Sequence, residues 1–444
     1  MFFPVIKKDY ILRRYEVGNS SKISIYGIYN KKVIEINDDA LFCMKHFSGE
    51  NSIEDVANKI AQKFNLEKEK AYCAINKVVT ELTAHNIIYL KNNRSLEYRC
   101  SSLPKMRGML NHIYLLLTKA CNLKCRHCSV DAGFKGNAEL TKKEVFDLID
   151  QIYEMMVPNI TISGGEPTLI EYLPELIEYI AKKPIKTHLM TNGYEIERSF
   201  AELLVRNGLV HVNISLDGAE ESSHDYLRGR KGSFKRAVNA IKIFKELGIY
   251  VETTSVIYDK NHNDIKEIIK LGKDLKVDNM KFVPIVPYKR GKNCDFVASL
   301  DYYINNIRNF LFGYDIGYNR LIRRDLTERI NIDEAVYRCG AGTGIIAISP
   351  EGDVLPRNNI ENIILGNIRE QKLIEIYNGS DNLKIVSELL SIKGSACEKC
   401  DILNYCGGGC AALSYSYHGD FKKCDITRKP YIIELLKENK VIVT

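Results

Sequence analysis

Three cysteines lie within eight residues of this 444-residue chain, at Cys121, Cys125 and Cys128, directly after an apolar alternation of strand type. Thiolates are soft ligands that bind iron–sulfur clusters, zinc and copper(I). Zinc or an ordinary ferredoxin cluster needs a fourth ligand nearby, and ferredoxin cysteines are spaced differently. The C-x3-C-x2-C spacing therefore favours an iron–sulfur cluster with one iron left open for a small molecule. A zinc knuckle is the alternative.

Composition is that of a multidomain globular protein. The length allows two or three domains, 45 % of the residues are apolar, and the net charge of +7 is spread along the chain. This charge predicts no nucleic-acid partner. No segment approaches the ~20 apolar residues of a membrane span, and the start lacks the apolar core of a signal peptide. We therefore expect a cytoplasmic protein with no membrane partner.

Thirteen cysteines in a chain of this kind favour metal ligands over disulfides. Three others, Cys43, Cys73 and Cys100, lie in or beside apolar stretches and are predicted to be buried small side chains. A second cysteine-rich region near the C-terminus has the spacing C-x2-C-x5-C-x3-C and one further cysteine. Its members are Cys397, Cys400, Cys406, Cys410 and Cys424.

Residues 1–92 have the patterns of a small separate domain. A hairpin with its turn near Asn30 precedes two helical patterns and a short strand. The first helix begins at Ser52 as N-cap, with an apolar stripe of Ile53, Val56, Ile60 and Phe64. The second is predicted to bury Ala71, Ala74, Val78 and Leu82. This order of elements predicts a winged-helix plan, and the polar residues 93–109 are predicted to form a linker.

Residues 110–294 alternate strand and helix patterns, which predicts an α/β fold with a parallel sheet and helices outside it. Periodicity alone does not distinguish a barrel from an open sheet. Residues 295–334 bridge to a cysteine- and glycine-rich region at 335–444. The six strand patterns lie at 112–118, 158–163, 186–191, 210–216, 249–257 and 279–286.

Polar motifs follow three of these strands, at Ser163-Gly164-Gly165-Glu166-Pro167, Thr191-Asn192-Gly193 and Ser215-Leu216-Asp217-Gly218. Ligands of parallel α/β folds bind at the carboxyl ends of strands. Ordinary turn chemistry is the alternative, because Asn-Gly and Asp-Gly are common turn formers. The candidate ligand-binding residues are Gly164, Gly165, Glu166, Asn192, Ser215 and Asp217.

The cysteine spacing, followed one strand later by Gly-Gly-Glu-Pro, resembles the radical S-adenosylmethionine (SAM) enzymes. The resemblance implies a partial (βα)6 barrel. It also implies a 4Fe–4S cluster on Cys121, Cys125 and Cys128, whose open iron chelates the amino and carboxylate groups of SAM. In that family, reductive cleavage of SAM yields a 5′-deoxyadenosyl radical, which abstracts a hydrogen atom from the substrate.

The resemblance extends to the contacts of SAM. The Gly164-Gly165-Glu166-Pro167 stretch is similar to the element that holds the SAM amino group. Ser215 and Asp217 correspond to residues near the ribose and methionine moieties, and Arg228 to the arginine that pairs with the carboxylate. A surface salt bridge is the alternative for Arg228. No catalytic acid or base is identified.

The C-terminal cysteines resemble the SPASM extension of radical SAM peptide-modifying enzymes, which holds auxiliary clusters. Cys339, Gly352 and the Leu365–Arg369 stretch also fit. The resemblance implies at least one auxiliary iron–sulfur cluster. It also assigns Cys339 and Cys410 to a second auxiliary site, as half of its four cysteine ligands. Arg357 stands where that pattern has cysteine, so the first auxiliary site is absent, smaller, or completed by a group such as Cys294. A zinc ribbon is the alternative. One complete four-cysteine cluster is implied on Cys397, Cys400, Cys406 and Cys424.

The N-terminal domain resembles the winged-helix leader-recognition domain of ribosomal-peptide maturases. The resemblance implies that a leader peptide adds as a strand beside residues 32–37 and packs on the helix at 69–82. A DNA-binding winged helix is the alternative.

These resemblances predict a radical SAM maturase that forms a thioether or another cross-link in a ribosomally synthesised peptide. The predicted partners are a leader-bearing precursor peptide and an external electron donor such as flavodoxin or ferredoxin. Two alternatives stay open. One is a sulfatase-maturing or tetrapyrrole-modifying radical SAM enzyme, and the other is an iron–sulfur redox sensor that binds DNA.

Overall fold

The computed structural model describes residues 2–17, 20–30, 32–97, 103–136, 138–258, 261, 264–293, 340–425 and 433. The chain forms two compact units. The first comprises Met1–Asn111, Asp147–Asn159 and Lys182–Lys186. The second comprises His112–Phe146, Ile160–Ala181 and Thr187–Thr444.

The described residues up to Asn111 form two small sheets and three helices of the N-terminal unit. Strands β1 and β5 pair antiparallel, and the second sheet has the order β4-β3-β2-β6. Its hairpin turns where predicted, because Asn30 Oδ1 accepts the Lys32 backbone N–H at 2.9 Å. The elements are β1 Phe3–Ile6, β2 Tyr10–Val17, β3 Ser20–Gly27, β4 Val33–Ile36, α1 Asp38–Met44, α2 Ile53–Phe64, α3 Lys68–Ala84, β5 Ile88–Lys91 and β6 Lys105–Met106.

Helix α2 matches its prediction closely. Ser52 and Asp55 form a capping box at its start, and Ile53, Val56 and Ile60 are buried. Each capping partner accepts a backbone N–H that the first turn of a helix otherwise leaves unpaired.

Helix α3 is where predicted, but its buried stripe is Ala71, Ile75, Val79 and Leu82. The predicted Ala74 is exposed and Val78 is only half-buried, so that part of the prediction is wrong. Both stripes have helical spacing, and the core takes the one with the bulkier side chains because they remove more apolar surface from water.

The predicted linker at 93–109 contains β6, which pairs in parallel with β2 through Lys105 opposite Arg14. The first compact unit therefore extends past residue 92, because its sheet uses backbone from this polar stretch. Of the isolated cysteines, Cys43 is buried as predicted, whereas Cys73 is exposed on α3, contrary to prediction. Cys100 lies outside the described residues. The winged-helix assignment stays a prediction.

The predicted partial (βα)6 core lies between His112 and Pro284. In the described part of the chain, the largest sheet has the order β12-β11-β10-β9-β8-β7-β13-β14-β15. Strands β7 and β8 pair in parallel, as do β9 to β12 in succession. All six predicted strands are confirmed. They are β7 His112–Leu116, β8 Asn159–Ser163, β9 Lys186–Thr191, β10 His211–Ser215, β11 Tyr250–Ile257 and β12 Asn279–Pro284.

Amphipathic helices separate these strands. Alternate strand residues such as Ile113, Ile160, Leu189 and Val212 are fully buried. The intervening helices are α4 Lys142–Glu154, α5 Leu173–Ala181, α6 Arg198–Arg206, α7 Glu221–Arg228, α8 Ser233–Glu246 and α9 Ile265–Asp274. The arrangement brings the carboxyl ends of the strands, and the loops that follow them, to one edge of the sheet.

The C-terminal region extends the same sheet. Strand β13 pairs in parallel with β7, and the next two strands follow in antiparallel order. The elements are β13 Ile345–Ile348, β14 Asp353–Leu355, β15 Gly366–Asn367, α10 Leu373–Gly379, α11 Asp381–Leu390, α12 Leu403–Cys406 and α13 Ala411–His418. Among the helices the structure describes, none combines the length and apolar character needed to cross a bilayer. The predicted bridging segment at 295–334 lies outside the described residues.

Candidate active site

The loop that carries the first three cysteines follows β7 and is held by backbone hydrogen bonds. Cys121 N–H donates to Gly133 O, and Arg126 N–H donates to Leu227 O, both at 2.9 Å. Gly229 lies against Lys124, because a Cβ there would come within 2.3 Å of the Lys124 carbonyl. The loop is therefore fixed to the C-terminal end of α7.

Each thiol in this loop has an N–H donor. Leu123 N–H donates to Cys121 Sγ at 3.5 Å and Ala132 N–H to Cys128 Sγ at 3.3 Å. The third donor is the guanidinium of Arg228, 3.8 Å from the sulfur of buried Cys125.

The thiols lie close enough to influence one another. Burial, with a contribution from the other two thiols, raises the pKa of Cys121 to about 11, and burial also raises the pKa of Cys125. Loading with a metal cluster therefore has to displace protons from these thiols. Three soft donors with N–H bonds to their sulfurs fit a 4Fe–4S cluster.

The two glycines after β8 allow close backbone approach. A Cβ on Gly164 would lie 2.6 Å from Thr118 O, and one on Gly165 would lie 2.1 Å from Ala120 O. Gly165 N–H and Glu166 N–H donate to these same carbonyls at 2.7 and 2.8 Å. The glycines therefore hold the end of β8 against the start of the cysteine loop.

Glu166 is fully buried and links the ends of two strands. Its carboxylate accepts hydrogen bonds from the Thr168 amide and hydroxyl, from the Thr191 hydroxyl at 2.7 Å and from the Asn192 amide at 2.8 Å. Burial raises the pKa of Glu166, and these donors oppose the rise. Its contact with the SAM amino group stays a prediction.

Asn192 connects the end of β9 to the cysteine loop. Its side-chain amide donates to Asn122 Oδ1 at 2.8 Å, and its oxygen accepts the Tyr194 N–H. Ser215, the last residue of β10, is half-buried and lies opposite Thr254 of β11. The structure thus brings the predicted strand-end residues to the edge that carries the cysteines.

Asp217 and Arg228 form a buried ion pair, with Asp217 Oδ2 2.5 Å from Arg228 Nε. Asp217 Oδ1 accepts the Val256 N–H at 2.8 Å. Burial raises the pKa of Asp217, but Arg228, His127 and His224 more than offset this and leave it below the ordinary value. Arg228 is 8 % exposed, so the alternative of a surface salt bridge is wrong.

Three residues near this pair escaped the sequence analysis. His127 lies inside the cysteine motif, and its Nε2 is 4.0 Å from Asp217 Oδ2. Burial lowers its pKa to about 4, so the imidazole is neutral at pH 7. His224 Nδ1 accepts the Asp217 N–H at 3.1 Å. Arg290 donates to Ala132 O at 2.9 Å. His127 could have been identified from the sequence because it lies within the cysteine motif. Arg290 could not, because no neighbouring sequence motif includes it.

The C-terminal cysteines lie around a glycine-rich turn. Cys397 and Cys406 are buried, and Cys400, Cys410 and Cys424 are half-buried. Buried Asp425, which the sequence analysis did not single out, accepts the Cys410 N–H at 2.7 Å. Within the described ranges, no three His, Cys, Asp or Glu side chains form a site for a single metal ion. Cys339 and Cys294 lie outside those ranges, and the auxiliary ligand set stays a prediction.

Two family models match the chain in these regions. Residues 115–272 match the radical SAM superfamily, and residues 339–401 match SPASM, an iron–sulfur cluster-binding domain. The chain therefore contains a radical SAM domain followed by a SPASM domain. The radical SAM domain implies SAM and a 4Fe–4S cluster as cofactors, and the SPASM domain implies at least one auxiliary iron–sulfur cluster.

Two similar proteins differ in how much of this chain they match. The AdoMet-dependent heme synthase of Methanosarcina barkeri is 28 % identical to this radical SAM/SPASM enzyme over 343 residues, which are 71 % of this chain and 94 % of that protein. The subtilosin biosynthesis protein AlbA of Bacillus subtilis is 24 % identical over 418 residues, covering 91 % and 92 %.

A solved structure shares the fold over nearly the whole length. Streptococcus suis SuiB, bound to its precursor peptide SuiA, superposes with a TM-score of 0.65 at 17 % identity, covering 97 % of this chain and 99 % of that one. At this identity the likeness establishes the fold of the radical SAM/SPASM enzyme.

Proposed function

We propose that this enzyme modifies a leader-bearing, ribosomally synthesised peptide and forms a thioether or another cross-link in it. The observation that carries the proposal is the N-terminal unit, which precedes the radical SAM domain in the sequence and in which, among the described residues, a sheet has an open edge. AlbA, a bacteriocin biosynthesis protein, aligns with 91 % of the chain, whereas the heme synthase aligns with 71 %.

The open edge belongs to β4, which ends the β4-β3-β2-β6 sheet. Gly27 N–H donates to the Lys32 carbonyl at 2.9 Å, and Ile34 lies opposite Ile25 in the same register. Pairs that share hydrogen bonds alternate with pairs that do not. The N–H and C=O of Glu35 therefore face away from β3, toward the open edge, where an added strand can pair with them.

Side chains beside this edge form a partly apolar surface, which we call the floor of the edge. Ile34 and Ile36 of β4 and Val78 of α3 are partly buried against one core cluster. Lys32 Nζ lies 3.4 Å from His85 Nδ1, which connects the start of β4 to the end of α3. A leader that adds as a strand gains main-chain hydrogen bonds from the edge and apolar contacts from this floor.

The chemistry divides among the chain's own residues. Cys121, Cys125 and Cys128 hold the cluster, and the residues at the ends of β8, β9 and β10 surround the SAM position. When bound, these cofactors supply a radical that abstracts a hydrogen atom from a core-peptide carbon. The carbon then bonds to a cysteine sulfur, and the peptide loses the thiol proton and one electron. The product is a thioether. An auxiliary cluster would supply an acceptor for this electron, and we assign one complete site for such a cluster to Cys397, Cys400, Cys406 and Cys424.

An external one-electron donor has a suitable surface at the cysteine loop. Lys124, Arg126 and Lys231 are exposed there. The segment after α7 is joined to this loop, because Arg230 donates to Asn122 O at 2.6 Å. A basic surface over the site favours an acidic carrier protein of the flavodoxin or ferredoxin kind.

Tetrapyrrole modification is the second candidate, because the heme synthase aligns over 94 % of its own length. The two functions are distinguished by supplying the reduced enzyme and SAM with either a leader-bearing precursor peptide or an iron-containing tetrapyrrole. We expect 5′-deoxyadenosine to accumulate with a peptide that has lost two hydrogen atoms. Turnover of the tetrapyrrole with an unchanged peptide would contradict the proposal.

A further inference from the structure

Two arginines reach the cysteine loop from elements far apart in the sequence. Arg228 is the last residue of α7, and its Nη1 lies 3.8 Å from Cys125 Sγ. Its Nε is 2.5 Å from Asp217 Oδ2, and Asp217 is itself held by the Val256 amide. The guanidinium is thus buried between a carboxylate and a thiol.

Arg290 approaches a different thiol. It lies in the 3-10 helix Lys289–Asn293, which follows β12. Its Nη2 donates to Ala132 O at 2.9 Å, while Ala132 N–H donates to Cys128 Sγ at 3.3 Å. The charge of Arg290 also acts on the Cys128 thiol, and its Nε lies 3.4 Å from Oδ1 of exposed Asp131. Each of these two thiols therefore has its own guanidinium.

We propose that Arg228 and Arg290 are positioning residues that raise the reduction potential of the cluster held by Cys121, Cys125 and Cys128. Reduction adds one negative charge to a site that already carries three thiolates. Net charge and hydrogen bonds to the sulfurs set the potential of such clusters. A guanidinium stays protonated at any working pH, so its charge favours the reduced state constantly.

The proposal deepens the proposed function and rests on its assignment of the cluster to these three cysteines. It also gives Arg228 a role other than the carboxylate contact that the family resemblance implies. Arg228 Nε lies 2.5 Å from Asp217 Oδ2, and Nη1 hydrogen-bonds to Cys125 Sγ. These two contacts account for its burial.

The test is EPR-monitored reduction of the anaerobically reconstituted full chain at stepped potentials. The variants are Arg228→Met and Arg290→Met, each with its Lys counterpart. We expect each Met variant to lower the reduced-to-oxidised ratio at a fixed potential about tenfold, equal to ~59 mV for a one-electron couple. The Lys variants retain the positive charge, so their reduced-to-oxidised ratio should be close to that of the wild type. Arg230→Met is the matched control, because Arg230 bonds to Asn122 O and stacks on Tyr194.

The proposal would be overturned if both Met variants contained full iron and had the same midpoint reduction potential as the wild type. So would weaker SAM binding by Arg228→Met without a shift in potential, because that result assigns Arg228 to the SAM carboxylate. If Arg228→Met fails to hold iron, Arg290→Met decides alone. A wild-type chain whose EPR signal survives loss of all three cysteines would instead contradict the cluster assignment itself.

Discussion

Two buried carboxylates connect the loops and strands around the candidate active site. The resemblance to radical SAM enzymes implies that Glu166 and Asp217, which follow parallel strands, contact SAM. Both are fully buried and accept hydrogen bonds from neighbouring loops and strands. Sequence reasoning placed both residues after parallel strands, where the structure has them, and their contact with SAM stays a prediction. It could not show that their oxygens are engaged by the protein, because the donors come from other strands.

Glu166→Ala tests the structural role of this carboxylate. The change leaves the amides of Thr168 and Asn192 and the Thr191 hydroxyl without their acceptor. We expect the free energy of unfolding to fall by about 3 kcal/mol, since buried unpaired donors are costly. Denaturant unfolding of the cluster-free protein measures this. Glu166→Gln keeps an acceptor and should lose less. Equal stability of Glu166→Ala and the wild type would show that the carboxylate has no structural role.

The three loop cysteines are tested together by substitution with alanine. The variant should form no 5′-deoxyadenosine from SAM and a reductant, because the proposed cluster ligands are gone. It should retain iron bound at the C-terminal cysteines. Chromatography of the nucleoside and iron analysis measure both. Nucleoside formation by the triple variant would mean that another site cleaves SAM.

At the scale of elements, the edge strand β4 carries the substrate proposal. Its exposed residues, Val33 and Glu35, alternate with Ile34 and Ile36, which pack on the core of the N-terminal unit. Strand alternation made this hairpin predictable. The α3 stripe was not, because two sets of apolar residues share the helical period and only packing chooses between them.

Glu35→Pro should weaken leader binding, because it removes an N–H that faces the open edge and leaves the pairing with β3 intact. Glu35→Ala is the matched control, since both changes remove the exposed ion pair with Lys22. We expect a loss of about tenfold or more in affinity for the leader peptide, measured by fluorescence anisotropy, from one lost hydrogen bond and a disturbed edge. Equal affinity of the two variants would argue against strand addition at β4.

At the scale of the whole molecule, the two family matches and the N-terminal unit follow one another along one chain. The six-stranded core was predictable because its alternating patterns are strong and its cysteine motif is specific. The contact of Arg290 with Ala132 was not, because 158 residues separate them and neither belongs to a motif.

Iron content tests the effect of Arg357. A SAM cluster and two complete auxiliary clusters would together hold about twelve irons. Because arginine replaces one expected ligand, we expect the reconstituted protein to contain about eight to ten. Cys294→Ala should lower this value if that residue completes the second site. A value near twelve that Cys294→Ala leaves unchanged would mean that other groups complete the site.

Leader dependence of cross-linking tests the central claim most directly. The full-length enzyme, SAM and a reductant are supplied either with the intact precursor peptide or with its core segment alone, and the products are followed by mass spectrometry. The account predicts that the intact peptide loses two hydrogen atoms per cross-link. It predicts that the core segment reacts far more slowly while SAM cleavage continues. Equal cross-linking of both peptides, or none of either, would contradict it.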